Sequence, residues 1–598
     1  MTHFERNISA LKRQNAALAK KVIATSPSPD IIVEPARNGE VTAKVQDIYL
    51  HSSYNPSREA DEWVRQHCCK SLPNTPITVI GFGLGHHLQV LARQGQKGCV
   101  IEPNSAIIRA AFENTDLSET IGKFSLLDGS KDVICRRYHQ LLKERVAVHP
   151  GSARVNEALA RLGKHAEGLK VAAKGGLRIL LVNPIYGGSL PIAHHCGHAL
   201  RSLGHHVIPF DSEQLAAGME FAKGFRYNQS RRAFNTGLAQ LLSQAVEIRA
   251  REVRPDMILA LAQAPLMPET MLRLDAHGIP TAFWFVEDYR VLPYWKESAP
   301  AASWFFGIQK ENIASELSKL GVARYSYLPT CAAPEVHRPL VLKKHERDEF
   351  GSDVSFVGAG YFNRQIFFKG LTDYNFKIWG SDWPLISPLT PWIQRRGERI
   401  DTETCVRIFN SSPINLNLHS STTCDGVNPD GDFVNPRTFE IAACGAFQLV
   451  DRRSLLPELF EENEIEVFSS LVEARDKIDR YLRNANARRE VAERGQLRVI
   501  AEHTYERRME ELVATMVAEF PNVADRVLTR IQRREEIEAD LDRHPGLPEL
   551  LAKLPDKRWF ALGNVLGGIV TGEGKLSRAE KIFLMLQNVE ITWDKIPE

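Results

Sequence analysis

The segment NPRTFEIAACGAF, residues 435–447, places Arg437 and Glu440 at the start of a helix, followed by small residues and a glycine before the strand FQLVD. A carboxylate at a helix N-terminus can accept two bonds from vicinal ribose hydroxyls, and Arg437 can reach a phosphate. Asp432 lies seven intervening residues before Glu440, an acid-x7-acid spacing. The plainer alternatives are dipole compensation for Glu440 and a loop carboxylate for Asp432. In SFVGAGYFNRQIFFKG, Gly358 and Gly360 let backbone approach a ligand, and Arg364 and Lys369 follow closely. Each cation offers a charge-assisted bond worth about 1.5–3 kcal/mol to a diphosphate. The alternative is a pair of solvated charges on a helix face.

The first half of the chain offers a second group. Tyr186, Gly187 and Gly188 follow the strand RILLVNP and form a loop open to a sugar or an acceptor; an ordinary strand-to-helix turn is the alternative. Glu287 and Asp288 follow the apolar strand PTAFWFV, so at least one carboxylate should face a cleft. Asp288 is the candidate general base, against an ion pair with Arg290. Among the histidines at 194, 195, 198, 205 and 206, no acid spacing singles one out. His194, together with His419 at the end of INLNLH, is retained as a cleft candidate.

These residues need strands and glycine turns to hold them. Near the start, ITVIGF runs into GFGLGHHLQVLARQG and then GCVIEP, which gives strand, glycine turn, helix, strand and acid. Gly81, Gly83, Gly85 and Glu102 thus form half of a Rossmann-type unit. The alternation restarts at RILLVNP and continues through HHVIPFD, DMILALA, PTAFWFV and WFFGIQ. After the proline-containing YLPTCAAPEVHRP it resumes with DVSFVG, FKIWG, PINLNLH and FQLVD, and the sequence beyond Tyr505 is helical. At 598 residues several cores are required. The predicted fold class is α/β, with two doubly wound Rossmann-like lobes preceded by a partial Rossmann-like domain and followed by a helical tail. The expected boundaries are 1–150 for the first module, 151–175 for a connecting helix, 176–340 and 341–515 for the lobes, and 516–598 for the accessory helices.

Lys plus Arg number 75 against 73 Asp plus Glu, so no global field favours nucleic acid. Nine scattered cysteines without CxxC pairs suit a reducing cytoplasm and predict no zinc knuckle. No run reaches the roughly 20 apolar residues of a membrane span, and no signal segment opens the chain.

The series WFVEDYR, YLPTCAAPEVHRP, SFVGAGYFNR, INLNLH and RTFEIAACGAF, spanning about 176–515, resembles the CgeB-like glycosyltransferases. That resemblance implies a GT-B fold, with a nucleotide-sugar donor held mainly by the second lobe, an acceptor by the first, and no obligatory metal. On it, Glu440 takes the ribose-binding position and Arg364 with Lys369 the diphosphate-binding one. Asp432 departs from the Glu-x7-Glu form of retaining relatives, which leaves the stereochemical class open. DGD at 430–432 is read as non-metal. The expected donor is a nucleotide-diphosphate sugar, UDP-sugar favoured, and the acceptor a protein, flagellar proteins included, or a surface polysaccharide; homo-oligomerisation is open. The first module looks like an S-adenosylmethionine methyltransferase core, without the usual acid just before the glycines, so a vestigial site is expected there. A methyltransferase and a non-catalytic sugar-nucleotide scaffold are the competing readings.

Overall fold

A computed structural model describes residues 1–68, 76–128, 145–384, 386–421 and 424–540, and beyond these 543, 546–552, 565–566, 569 and 575–593. Most of the SLPNTP breaker and much of the Gly-containing tail lie outside the described residues. The chain divides into two compact units, one of residues 1–173 with 513–519, the other of 174–512 with 520–598.

The first unit opens with the helix His3–Gln14, started by a Thr2–Glu5 capping box. An antiparallel sheet follows, β1 (Ile31–Pro35), β2 (Val41–Val45) and β3 (Ile48–Tyr49). The parallel sheet is β4 (Ile77–Ile80), β5 (Gly98–Ile101), β6 (Phe124–Leu127) and β7 (Arg145–Val148), in the order β6-β5-β4-β7. This is the expected half-Rossmann arrangement, with Val79, Val100, Phe112 and Leu126 in its core. The helix Glu157–Ala172, expected as a connector, instead buries Leu159, Leu162 and Leu169 within this unit. Its Leu spacing is an amphipathic stripe, and a linker has no use for one.

The second unit holds both lobes. In the first, β8 (Arg178–Val182), β9 (His206–Phe210), β10 (Met257–Leu261), β11 (Thr281–Phe285), β12 (Trp304–Gly307) and β13 (Tyr325–Tyr327) form a sheet ordered β13-β12-β11-β10-β8-β9. In the second, β14 (Val354–Val357), β15 (Phe376–Trp379), β16 (Ile414–Asn417), β17 (Gln448–Asp451) and β18 (Glu466–Phe468) are ordered β15-β14-β16-β17-β18. Every pairing in both sheets is parallel. The order reverses at β8 in one lobe and at β14 in the other, and the crevice past the strand ends at such a reversal is where open α/β sheets take ligands. β13 and β18 escape sequence reading because three-residue edge strands carry too little alternation.

The proline-rich link also belongs to the cleft's frame. Ala332 bridges to Thr504, so the chain returns beside the link just before Tyr505. The helix Pro521–Asp540 is tied to the first lobe, since Arg530 donates two 2.9 Å bonds to the Asp256 carboxylate and Arg526 donates to the Gly278 carbonyl. No described helix is long and apolar enough to cross a membrane.

Candidate active site

A cavity of about 550 Å³ opens where the two reversals lie, within the roughly 300–1,000 Å³ typical of ligand sites. Gly188 and Gln263 line it from the ends of β8 and β10, and Gly358, Asn417 and Asn435 from the second lobe. Arg364, Arg437, Glu440 and Glu287 share its wall.

Arg364 sits on the short helix Phe362–Phe367 that follows the β14 glycine turn. It is 7% exposed, donates from Nε to the Leu418 carbonyl (2.9 Å) and from Nη1 to the Ala359 carbonyl (2.9 Å), and stacks on Phe356 and Tyr361. Among the described residues no carboxylate pairs with it. Burial pulls its pKa down to about 10. A fixed, nearly buried guanidinium with no carboxylate bonded to it, facing a cavity, is arranged for an anion. Gly358 makes this approach possible, because a Cβ there would lie 2.8 Å from the Phe356 ring and 3.2 Å from Arg364 Nη1.

The helix Pro436–Ala443 starts with Pro at N1 and with the Asn435 side chain accepting the Thr438 N–H. On its first turn Arg437 Nη1 donates to Glu440 Oε2 (2.6 Å), and His337 Nε2 lies 3.9 Å from Glu440 Oε1. Burial pushes the Glu440 carboxyl up, but Arg437, His337 and His195 outweigh it and hold the group below the usual carboxylate range. Glu440 is therefore an anion, able to accept hydroxyls. Arg437 is committed to that carboxylate and stacks over Phe409.

Behind this helix, one layer from the cavity, is a buried relay. His419 Nδ1 donates to Asp451 Oδ1 (2.6 Å), His419 Nε2 accepts the Asn435 N–H (2.9 Å), and Arg453 Nη2 donates to Asp451 Oδ2 (2.7 Å). His419 is fully buried and does not line the cavity; its place is under the cap of the helix, because both ring nitrogens are already engaged. Burial lowers its pKa to about 4, whereas burial raises Asp451 less than His419 and Arg453 lower it, to about 2. The resting state is a neutral imidazole beside a carboxylate–guanidinium pair.

On the first lobe the structure separates the two adjacent acids. Glu287 lines the cavity and accepts from the Ser189 hydroxyl (3.2 Å). Burial raises its pKa; the Ser189 bond opposes this and Asp288 adds to it. Asp288 does not line the cavity. It accepts from Arg290 Nε (3.0 Å) and Gln309 Nε2 (3.1 Å), and the same two residues donate to Asp432 Oδ1 at 2.6 and 2.9 Å. Asp288 and Asp432 are thus joined in a knot between the lobes, since each oxygen facing Arg290 is already bonded.

Three further candidates stand away from this wall. Lys369 is exposed on a 3-10 turn and lines no described cavity with Arg364. His194 pairs with Glu213 (2.9 Å) and lines a second cavity of about 400 Å³, together with Gly187. Its neighbour His195 lines the main cavity, packed against His337 and Tyr505, and burial lowers its pKa to about 4. Arg399 borders both cavities and donates to the Gly187 carbonyl (2.7 Å). Sequence reasoning missed Arg399, which no strand-end pattern marks, and passed over His195. Asp451, at the very end of FQLVD, carried a strand-end signal that could have been used.

These findings agree with comparison to known proteins. A family described as glycosyl transferase-like matches residues 363–514, and the spore protein CgeB of Bacillus subtilis is 24% identical over 249 residues, covering 40% of this chain and 76% of that protein. The chain is thus similar to CgeB and glycosyl transferase-like over residues 363–514. Its GT-B plan is evident in the two doubly wound lobes of the second unit. Solved structures similar to this CgeB-like chain include HepE from Anabaena with UDP-glucose, at 12% identity, 56% of this chain, 98% of that chain and TM-score 0.40. A sucrose-phosphate synthase from Thermosynechococcus elongatus is also similar, at 12% identity, 55% and 96% coverage and TM-score 0.39.

The methyltransferase-like turn of the first unit does not fit an adenosyl cofactor. Glu102, expected on a ribose, is wholly buried and accepts the Phe82 N–H (3.1 Å) and Asn104 N–H (3.1 Å), one on each oxygen. Over the glycines, His51 Nε2 accepts the Leu84 N–H (2.9 Å), and a Cβ on Gly83 would lie 2.5 Å from that nitrogen. The space a nucleotide needs is occupied by side chains of the unit itself.

Proposed function

We propose that this chain transfers a sugar from a nucleoside diphosphate donor to a hydroxyl of a protein or surface polymer, with a UDP-sugar the donor to test first. The observation that carries this reading is Arg364, a nearly buried cation without a carboxylate partner on the wall of the interlobe cavity. It would hold the diphosphate, with Arg399 adding charge from the rim, so the leaving group is neutralised by protein cations and no divalent ion is required. Glu440, fixed by Arg437, would accept the ribose hydroxyls. Glu287, facing the cavity from the first lobe, would take the acceptor's proton; Asp288, held in its ion pair, would position the loop. Flagellar proteins are among the acceptors to test.

Titration calorimetry with UDP, GDP and ADP tests the donor site. Glu440→Ala should weaken binding of the preferred nucleotide about tenfold or more, as for a lost charged hydrogen bond; unchanged affinity in a folded variant refutes the ribose role. Turnover of a UDP-sugar panel, unchanged by EDTA, distinguishes the enzyme from a binding scaffold.

A further inference from the structure

Four imidazoles crowd the glycine turn of the first unit, and the glycosyl-transfer chemistry uses none of them. His51 follows β3, His86 and His87 open the helix His86–Arg93, and His149 follows β7 as the N-cap of the helix Pro150–Val155. His51, His87 and His149 are 2%, 1% and 4% exposed, and one ring nitrogen of each lies within 4.8 Å of the others. We propose that His51, His87 and His149 form a binding site for a divalent transition-metal ion of zinc-like character.

Two of the three rings have their second nitrogen set against an oxygen, as metal-ligating imidazoles do. His87 Nε2 donates to the Gly81 carbonyl (3.1 Å) and His51 Nδ1 faces Glu59 Oε2 (3.7 Å), whereas His149 Nδ1 accepts the Ser152 N–H (3.2 Å) with the Ser152 hydroxyl 2.8 Å away, so binding through Nε2 moves its proton to Nδ1, which then donates to that hydroxyl. The nitrogens left to bind an ion are His87 Nδ1, His149 Nε2 and His51 Nε2, the last of which accepts the Leu84 N–H (2.9 Å). His87 Nδ1 is buried and has no hydrogen-bond partner. Leaving such an atom unsatisfied is costly, and an apolar side chain would pack as well without that cost.

His87 and His149 stack face to face, with centroids 4.2 Å apart at 4°, so loading requires one ring to turn about its Cβ–Cγ bond. His51 Nε2 then exchanges the Leu84 N–H for the ion. Three imidazoles and no thiolate select zinc, cobalt or nickel over calcium or magnesium. A fourth position is left for water.

The full-length chain, stripped with EDTA and desalted, is titrated with Zn²⁺ against a chromophoric chelator and, separately, with Co²⁺. About one equivalent should bind, with the visible absorption of a low-coordinate cobalt site. His87→Asn and His149→Asn should each weaken uptake about tenfold or more. Native chain that takes up no more than a small fraction of an equivalent, or variants that bind as the native chain does, overturns the site. X-ray absorption on the zinc-loaded native chain needs no variant: an imidazole nitrogen shell supports the assignment, and sulfur scattering from any of the nine cysteines overturns it.

Discussion

At the scale of single residues, the cavity contains one group placed for proton transfer and one placed for charge. Glu287→Gln should leave nucleotide affinity within a factor of two or so of native and depress turnover by about 10²–10⁴-fold, the usual contribution of a general base. The base must be ionised to work. Since burial raises its pKa above the usual 4.5, kcat/KM of the native enzyme should begin to fall, as pH is lowered, above the pH at which an ordinary Glu would titrate. That acid limb should disappear in the variant; a pH–rate profile of native enzyme lacking it assigns the base elsewhere. Arg364→Met has effects of opposite sign on two measurements. Nucleoside diphosphate affinity should fall about 10–100-fold, while the thermal midpoint rises, because removing a buried charge that has no carboxylate partner outweighs the two carbonyl bonds given up with it. A variant that loses both affinity and stability would mean that Arg364 is structural.

At the scale of elements, the helix Pro436–Ala443 is the one that matters, because it carries Arg437 and Glu440 and rests on His419, Asp451 and Arg453. Asp451 stays ionised in the fold to about pH 2, whereas an unfolded Asp titrates near 3.9. The stability this contributes is complete above about pH 4 and is lost as pH falls toward 2. Asp451→Asn should therefore cost about 3–5 kcal/mol at neutral pH, since it strands Arg453. In denaturant titrations the gap between native and variant should narrow between pH 4 and 2; a gap constant over that window places the loss in packing instead. The element scale is also where sequence reading was strongest. The β-branched runs ended by glycine or acid placed the two lobes and the loops that form the cleft. It failed on which neighbour faces in. Glu287 and Asp288 are successive residues past a strand, and such side chains alternate sides. His194 and His195 are about 100° apart on a helix, and Arg364 and Lys369 lie on different elements, the helix Phe362–Phe367 and the 3-10 turn that follows it. Periodicity gives these spacings without saying which face meets the other lobe. Arg399 left no trace, because its position is set by backbone outside any strand or helix.

At the scale of the whole chain, the first unit is assembled from distant sequence, residues 1–173 and 513–519, and a boundary at 150 would cut through its own core. The contact that shows this is Gly168, in the helix Glu157–Ala172. A Cβ there would lie 2.2 Å from the Ala514 carbonyl oxygen and 3.2 Å from the Ala518 methyl. A carbonyl within a helix cannot yield as a flexible side-chain tip does. Gly168→Ala must therefore push the two helices apart, and overpacking of this kind costs about 1–3 kcal/mol, sometimes more. Calorimetry should show the transition of the first unit lowered. Nucleotide affinity should be unchanged, because every residue proposed to hold the donor lies between 287 and 440. A variant melting as the native chain does would mean that the 513–519 segment contributes nothing to the first unit's stability. Truncation at residue 150 would then become a fair way to test what that unit does for the acceptor. If the transition falls as expected, that experiment must instead use substitutions within the intact chain.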